Sequence, residues 1–384
     1  MPNRKRIVCT ALDRSPLFLK PQLSLREQTG QMLLAGFDGT TVTRETEDLI
    51  LNHHVGGFIL FDRNYENPQQ LHALTRDLQQ VAAASASGLP LFISVDQEGG
   101  RVARLKAPFT EFPPALGLDR TRSEDLAYEF GRALTRELHD VGVNMDYAPV
   151  LDVHTNPGNP VIGNRAFSTD PHWAGVLATA FMRGCRDSGV VPVGKHFPGH
   201  GDTHLDSHHD LPWVSRDVAS LQTIELEPFA HAIQNGLEAI MTAHVMYPAW
   251  DDRLPATFSR PILHNILRGQ MGFKGVLISD DLEMKAVEHH FPFDSFAERA
   301  VEAGLDMLLI CHHRDKVLAL HEQLIKGIEG GDIATGPVER SVERILHLKS
   351  KLSPFPERPP EPAGWTSYHQ PVADRLRQAS EYPS

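Results

Sequence analysis

Cysteine is nearly absent: three residues in 384, Cys9, Cys185 and Cys311. Three widely spaced cysteines build neither a disulfide framework nor a zinc ribbon, and they fit a reducing compartment. Long apolar runs are missing too. No stretch approaches the roughly 18 residues that a membrane span needs. The basic start "MPNRKRIVCTALDRSPLFLK" is interrupted by Asp13, Arg14 and Pro16 before the apolar core of a secretory leader can form. An excess of positive charge is also lacking. The formal net charge of -12 repels phosphate backbones and argues against nucleic acid as a partner. No Lys/Arg-rich block addresses an anionic membrane. A phosphate-cradling "GxxxxGK[ST]" loop and an "HExxH" metal helix are both absent. These absences set the expectation of a cytoplasmic monomer that engages neither nucleic acid nor membrane and carries no cofactor.

Hydrophobic residues make up 41% of the chain, enough for a packed core. They gather in eight short runs, at 32–37, 56–61, 89–96, 144–153, 190–196, 237–244, 275–280 and 306–311. Between the runs lie segments of helical periodicity, such as 122–142, 170–189 and 216–236, several of which stop at Gly. Strands alternating with helices indicate a parallel sheet, and continuous apolar strands indicate burial on both faces. Eight such units predict an α/β fold, a single closed (β/α)8 barrel of the TIM type spanning 24–350. Residues 1–23 form an N-terminal arm in this reading. Residues 351–384 form a Pro-rich C-terminal tail, whose segment 352–365 is expected to run extended along the surface.

Polar residues collect where the apolar runs end: Asp62, Asp96, Asp152, Lys195, His196, His244, Asp280 and His312. A barrel points those ends at one mouth, where catalytic groups gather.

The densest stretch is "KHFPGHGDTHLDSHHDLP", 195–212. His196, His200, His204 and His208 recur every fourth residue, which would align them only on a helix. Pro198, Gly199 and Gly201 break any helix there, so the segment is a loop after the fifth strand. Loose His/Asp spacing in a loop is a weak metal signal, and no metal is expected. A solvated loop accounts for His204, His209 and Asp210. An acid–base site accounts better for "DSH", in which Asp206 and His208 stand two apart and a carboxylate can tune an imidazole. A nucleophile is available in "LISDDLEM" (277–284). Asp280 ends an apolar run, and Asp281 suits the role of helix N-cap.

Taken in order, "SVDQEGGRVARL" (94–105), "NPVIGNRAFSTD" (159–170), "KHFPGHGDTHLDSHHDLP" and "SDDLEM" resemble the bacterial β-N-acetylglucosaminidases of glycoside hydrolase family 3. The resemblance covers 24–350 and departs at Asn164 and Ala166. It implies that Asp280 is the catalytic nucleophile and His208 the acid/base, paired with Asp206. It implies that Asp96, Arg104, Arg165, Lys195 and His196 bind a terminal N-acetylglucosamine. The implied activity is a retaining exo-β-N-acetylglucosaminidase acting on cell-wall muropeptides in peptidoglycan recycling. Two alternatives stand beside it. One is a metal-dependent hydrolase built on the loop histidines. The other is a phosphorylase, because a neutral imidazole base does not repel an incoming phosphate.

Overall fold

The computed structural model describes residues 23–204, 207 and 210–381. Asp206 and His208 lie outside the described residues, as does the N-terminal arm apart from Leu23.

The eight apolar runs form eight parallel strands closed into a barrel in chain order. They are β1 (Leu33–Ala35), β2 (Gly57–Leu60), β3 (Phe92–Val95) and β4 (Met145–Asp146). Then follow β5 (Val191–Phe197), β6 (Ala239–Thr242), β7 (Val276–Asp281) and β8 (Met307–Ile310). Leu34 pairs with Leu309 of β8 on one side and with Gly57 of β2 on the other, which closes the ring. Every residue of β1, β2, β3, β6 and β8 is buried. This is why these strands read as unbroken apolar runs and not as alternating ones. The 144–153 run pairs over only two residues, and beyond Asp146 it contributes a single parallel bridge, Val150 to Lys195.

Helices cover the outside, and their starts are written locally. Pro68–Ala83 and Pro171–Asp187 each open with Pro in the first turn behind a capping side chain, Asn67 or Asp170. Proline lacks the N–H that a first turn leaves unpaired, and the Asx side chain satisfies a donor that remains. Among the described residues no helix is long and apolar enough to cross a membrane.

The C-terminal segment departs from expectation. No regular element forms over 352–361, but a helix begins at Pro362 (Pro362–Tyr368) and a second runs Gln370–Glu381. Trp365, Val372, Ala373, Leu376 and Ala379 are buried. Trp365 packs at a tilt on Phe109, ring centroids 4.8 Å apart, and donates its indole N–H to Asp140. The proline content marks where this helix can start, at its first turn. It does not keep the rest of the tail extended.

Under the barrel, Lys349 is buried against the starts of β1 and β3. Its Nζ donates to Gln31 Oε1 at 2.7 Å and lies 5.2 Å from the Phe92 ring. Burial pulls its pKa down to about 7.

Candidate active site

The carboxyl ends of the strands frame a cavity of about 210 Å³. Asp96, Arg104, Arg165, Lys195, His196 and Asp280 all line it. They come from the ends of β3, β5 and β7 and from two loops, so chain positions far apart in sequence converge on one space. A larger groove of about 690 Å³ opens among the outer helices, away from these groups, and is lined by Arg268, Arg340 and Arg344.

Lys195 is a buried cation at this mouth. Its Nζ stands 2.6 Å from Asp96 Oδ1 and 2.6 Å from Glu98 Oε1. Burial disfavours the ammonium, but the two carboxylates outweigh it and raise its pKa. Glu98 also receives a bidentate fork from Arg165, Nε at 2.8 Å and Nη2 at 2.7 Å. Burial works against ionising Glu98 too. Arg165 and Lys195 reverse that and hold its carboxyl well below the usual range. Glu98 sits on a hairpin inserted after β3, Gln97–Gly99 against Val102–Ala103. Two glycines make the turn, Gly99 at φ 86° and Gly100 at φ 59°, where other residues are strained.

Arg104 follows the hairpin. Its guanidinium lies 5.5 Å from the Phe61 ring centroid and 4.0 Å from Asp96 Oδ2. Its Nε is buried and has no hydrogen-bond partner among the described residues. A buried, unsatisfied donor beside a cavity is the kind of group a polar ligand pairs with.

His196 is oriented from behind. Its Nδ1 donates to Asp152 Oδ2 at 2.7 Å, which leaves Nε2 for the cavity side. Asp152 also accepts the backbone N–H of His200 at 2.7 Å. Burial raises the Asp152 carboxyl, but His196 and its hydrogen bonds bring it below its ordinary value. His200 is buried as well, and burial beside His196 drops its pKa to about 4, so it is neutral at pH 7. The chain from Pro198 to His204 is non-helical, so the four-residue histidine period aligns nothing. His204 is exposed, Asp202 pairs with Arg216 at 2.9 Å, and Asp210 is not merely solvated but paired with His290 at 2.7 Å.

Asp280 and Asp281 close β7. The Asp280 carboxylate accepts the Asp281 N–H at 2.8 Å. Asp281 does not cap a helix. The next helix, Lys285–Glu288, starts from Met284 without a side-chain cap. Asp281 Oδ1 instead accepts Glu283 N at 3.0 Å and Cys311 N at 3.3 Å, tying β7 to β8. Burial pushes the Asp281 carboxyl up to about 7.

Four contributors were not singled out from sequence. Glu98, Tyr147, Ser207 and Cys311 face or support the cavity. Tyr147 accepts a hydrogen bond from Ser94 at 2.9 Å, and burial keeps its phenol neutral. Glu98 carried the clearest overlooked signal: a carboxylate two residues after a strand-end Asp and immediately before "GG".

Residues 24–348 match the family model described as the glycosyl hydrolase family 3 N-terminal domain. A Beta-hexosaminidase of Nitrosomonas eutropha is 43% identical over 290 residues, which are 74% of this chain and 81% of the relative. A Beta-hexosaminidase of Pseudomonas aeruginosa is 40% identical, covering 73% of this chain and 82% of its own. Among solved structures, the family 3 β-N-acetylglucosaminidase of Paenibacillus sp. FPU-7 superposes with a TM-score of 0.88 at 39% identity, over 93% of this chain and 69% of that one. NagZ of Neisseria gonorrhoeae, solved with N-trifluoroacetyl-D-glucosamine, gives 0.74 at 32% identity over 91% and 98%. Barrel, strand-end cavity and sequence matches agree: the chain belongs to glycosyl hydrolase family 3.

Proposed function

We propose that the protein is a retaining exo-β-N-acetylglucosaminidase. The observation that carries this reading is the convergence of Asp280 with Asp96, Arg104, Arg165, Lys195 and His196 on one cavity. At about 210 Å³ that cavity is smaller than the roughly 300–1,000 Å³ of drug-sized ligand sites, and suits one sugar ring. Relatives named Beta-hexosaminidase, and a NagZ holding an N-acylglucosamine analogue, support the choice of N-acetylglucosamine.

In this reading Asp96 accepts from ring hydroxyls, since an ionised carboxylate only accepts. Lys195, Arg165 and Arg104 donate, and His196 offers Nε2. Asp280 attacks the anomeric carbon. The C1–O bond to the aglycone breaks as His208, held by Asp206, gives its proton to the leaving oxygen. Water then adds its oxygen to C1, its proton passes to His208, and the Asp280 ester bond breaks. Two inversions give net retention. The buried ion pairs fix Lys195 and Arg165 before substrate arrives, so little reorganisation accompanies binding.

The biological substrate we infer is a muropeptide or another N-acetylglucosamine-terminated saccharide, processed by a cytoplasmic monomer during peptidoglycan recycling. The test is the stereochemistry of hydrolysis. NMR of the first product from an aryl N-acetyl-β-glucosaminide should show the β anomer before mutarotation. The α anomer appearing first, or no hydrolysis, refutes the proposal.

A further inference from the structure

His244 follows β6 by two residues at the strand-end face of the barrel, and the proposed mechanism gives it no part. It is buried, and it is not among the described residues that line the cavity. Any part it has in the chemistry must pass through another residue. Its ring is held at both nitrogens. Nδ1 stands 2.7 Å from Thr257 Oγ1, on the short helix Ala256–Phe258. Thr257 is buried too, its hydroxyl 3.0 Å from the Ala243 carbonyl oxygen. Nε2 stands 2.9 Å from the Asp281 carbonyl oxygen. A carbonyl only accepts, so Nε2 carries a hydrogen and donates it.

Asp281 is one of the groups that hold Asp280, since the Asp280 carboxylate accepts its N–H at 2.8 Å. Asp281 is held in turn. Its carboxylate accepts Glu283 N and Cys311 N, which tie it to its own turn and to the chain just past β8. Its carbonyl accepts His244, which ties it to the chain just past β6. β6 and β8 are the two neighbours of β7 in the barrel, so the end of β7 is anchored from both sides. The imidazole that makes one of these anchors is locked by packing and by Thr257, as a support for a reacting group must be.

We infer that His244 is a positioning residue for the nucleophile: its Nε2–H bond to the Asp281 carbonyl fixes the end of β7 from the β6 side and so aims the Asp280 carboxylate at the anomeric carbon. The inference rests on the proposed function, in which Asp280 attacks that carbon. A nucleophile out of line slows attack whatever the leaving group. It leaves binding of the sugar by Asp96, Arg104, Arg165 and Lys195 as it was.

The experiment compares His244→Leu, His244→Gln and His244→Asn with Asp280→Ala. The Gln amide nitrogen stands as far along its side chain as Nε2 and can donate to Asp281, whereas Asn reaches only as far as Nδ1, toward Thr257. The readouts are kcat/KM on a dinitrophenyl and an alkyl N-acetyl-β-glucosaminide, and the inhibition constant of N-acetylglucosamine, which reports the bound sugar alone. His244→Leu should lower kcat/KM about ten- to a hundredfold on both substrates, the scale of an ångström-sized misplacement. The inhibition constant should stay within about twofold of wild type. His244→Gln should recover most of the rate and His244→Asn should not. If the Leu variant does not fold, the difference between Gln and Asn decides. Unchanged kcat/KM, an inhibition constant that weakens in step with the rate, or a Gln variant no better than Asn overturns the inference. With Asp280→Ala inactive, any of those results leaves the proposed function standing. An active Asp280→Ala overturns both.

Discussion

Glu98 Oε1 lies 2.6 Å from Lys195 Nζ, and the same carboxylate takes both arms of the Arg165 fork. One buried anion thus holds two buried cations at the barrel mouth. Removing one partner of such a cluster leaves uncompensated charge, which costs about 3–5 kcal/mol. Glu98→Ala should therefore lower the unfolding free energy by that order in a denaturant titration. It should also raise KM, because Arg165 loses its carboxylate partner and Lys195 one of its two. A loss below about 1 kcal/mol with unchanged KM would contradict this role.

Lys349 gives the chain a pH dependence far from the active site. Its folded pKa of about 7 lies below the ordinary lysine value of 10.5. Between those values the unfolded chain binds more protons, so stability rises with pH. The stabilising contribution is complete above the unfolded pKa and lost as pH falls through the folded one. Lys349→Met removes the titration. Wild type should gain on the variant with a slope approaching about 1.4 kcal/mol per pH unit across this window. Parallel stability curves for the two proteins would refute the assignment.

The tail helices are part of the folded body. Trp365→Ala removes a buried indole packed on Phe109 and its hydrogen bond to Asp140. A loss of about 3 kcal/mol or more is expected from the denaturant midpoint, as for other large aromatic truncations in cores. A midpoint within error of wild type would mean that the tail does not dock.

Chelation tests the loop histidines. His196 Nδ1 is committed to Asp152, and both ring nitrogens of His200 are committed to Thr203 and Ser207. His196 Nε2 faces the cavity, but among the described residues no group of three or more His, Cys, Asp or Glu is arranged to hold a metal ion. Dialysis against EDTA should leave kcat/KM unchanged. Activity lost on chelation and restored by Zn²⁺ would favour the metal-dependent alternative.

The barrel was legible because each strand is buried on both faces, so its apolar run stands out without any need for register. Strand-end residues such as Asp96, Lys195 and Asp280 were legible for a related reason: a polar group closing an apolar run has few structural explanations. Glu98 was not, since its importance comes from hairpin geometry that folds it back over Lys195. Asp281 was misjudged as a cap because sequence shows the nearby helix but not the contact with Cys311, just past β8, whose N–H takes part of its carboxylate instead. The helices from Pro362 onward were not legible, because prolines at 354–362 obscure the helical spacing of Val372, Ala373, Leu376 and Ala379 that follows.

The nucleophile is the assignment on which the chemistry turns. Incubating the enzyme with a fluorinated, activated N-acetylglucosaminide, digesting it and sequencing the labelled peptide tests this most directly. The sugar should be found esterified to Asp280 within the peptide that contains "LISDDLEM". Label on Asp281 or on any other residue, or turnover that never accumulates a covalent adduct and survives in Asp280→Ala, would contradict it.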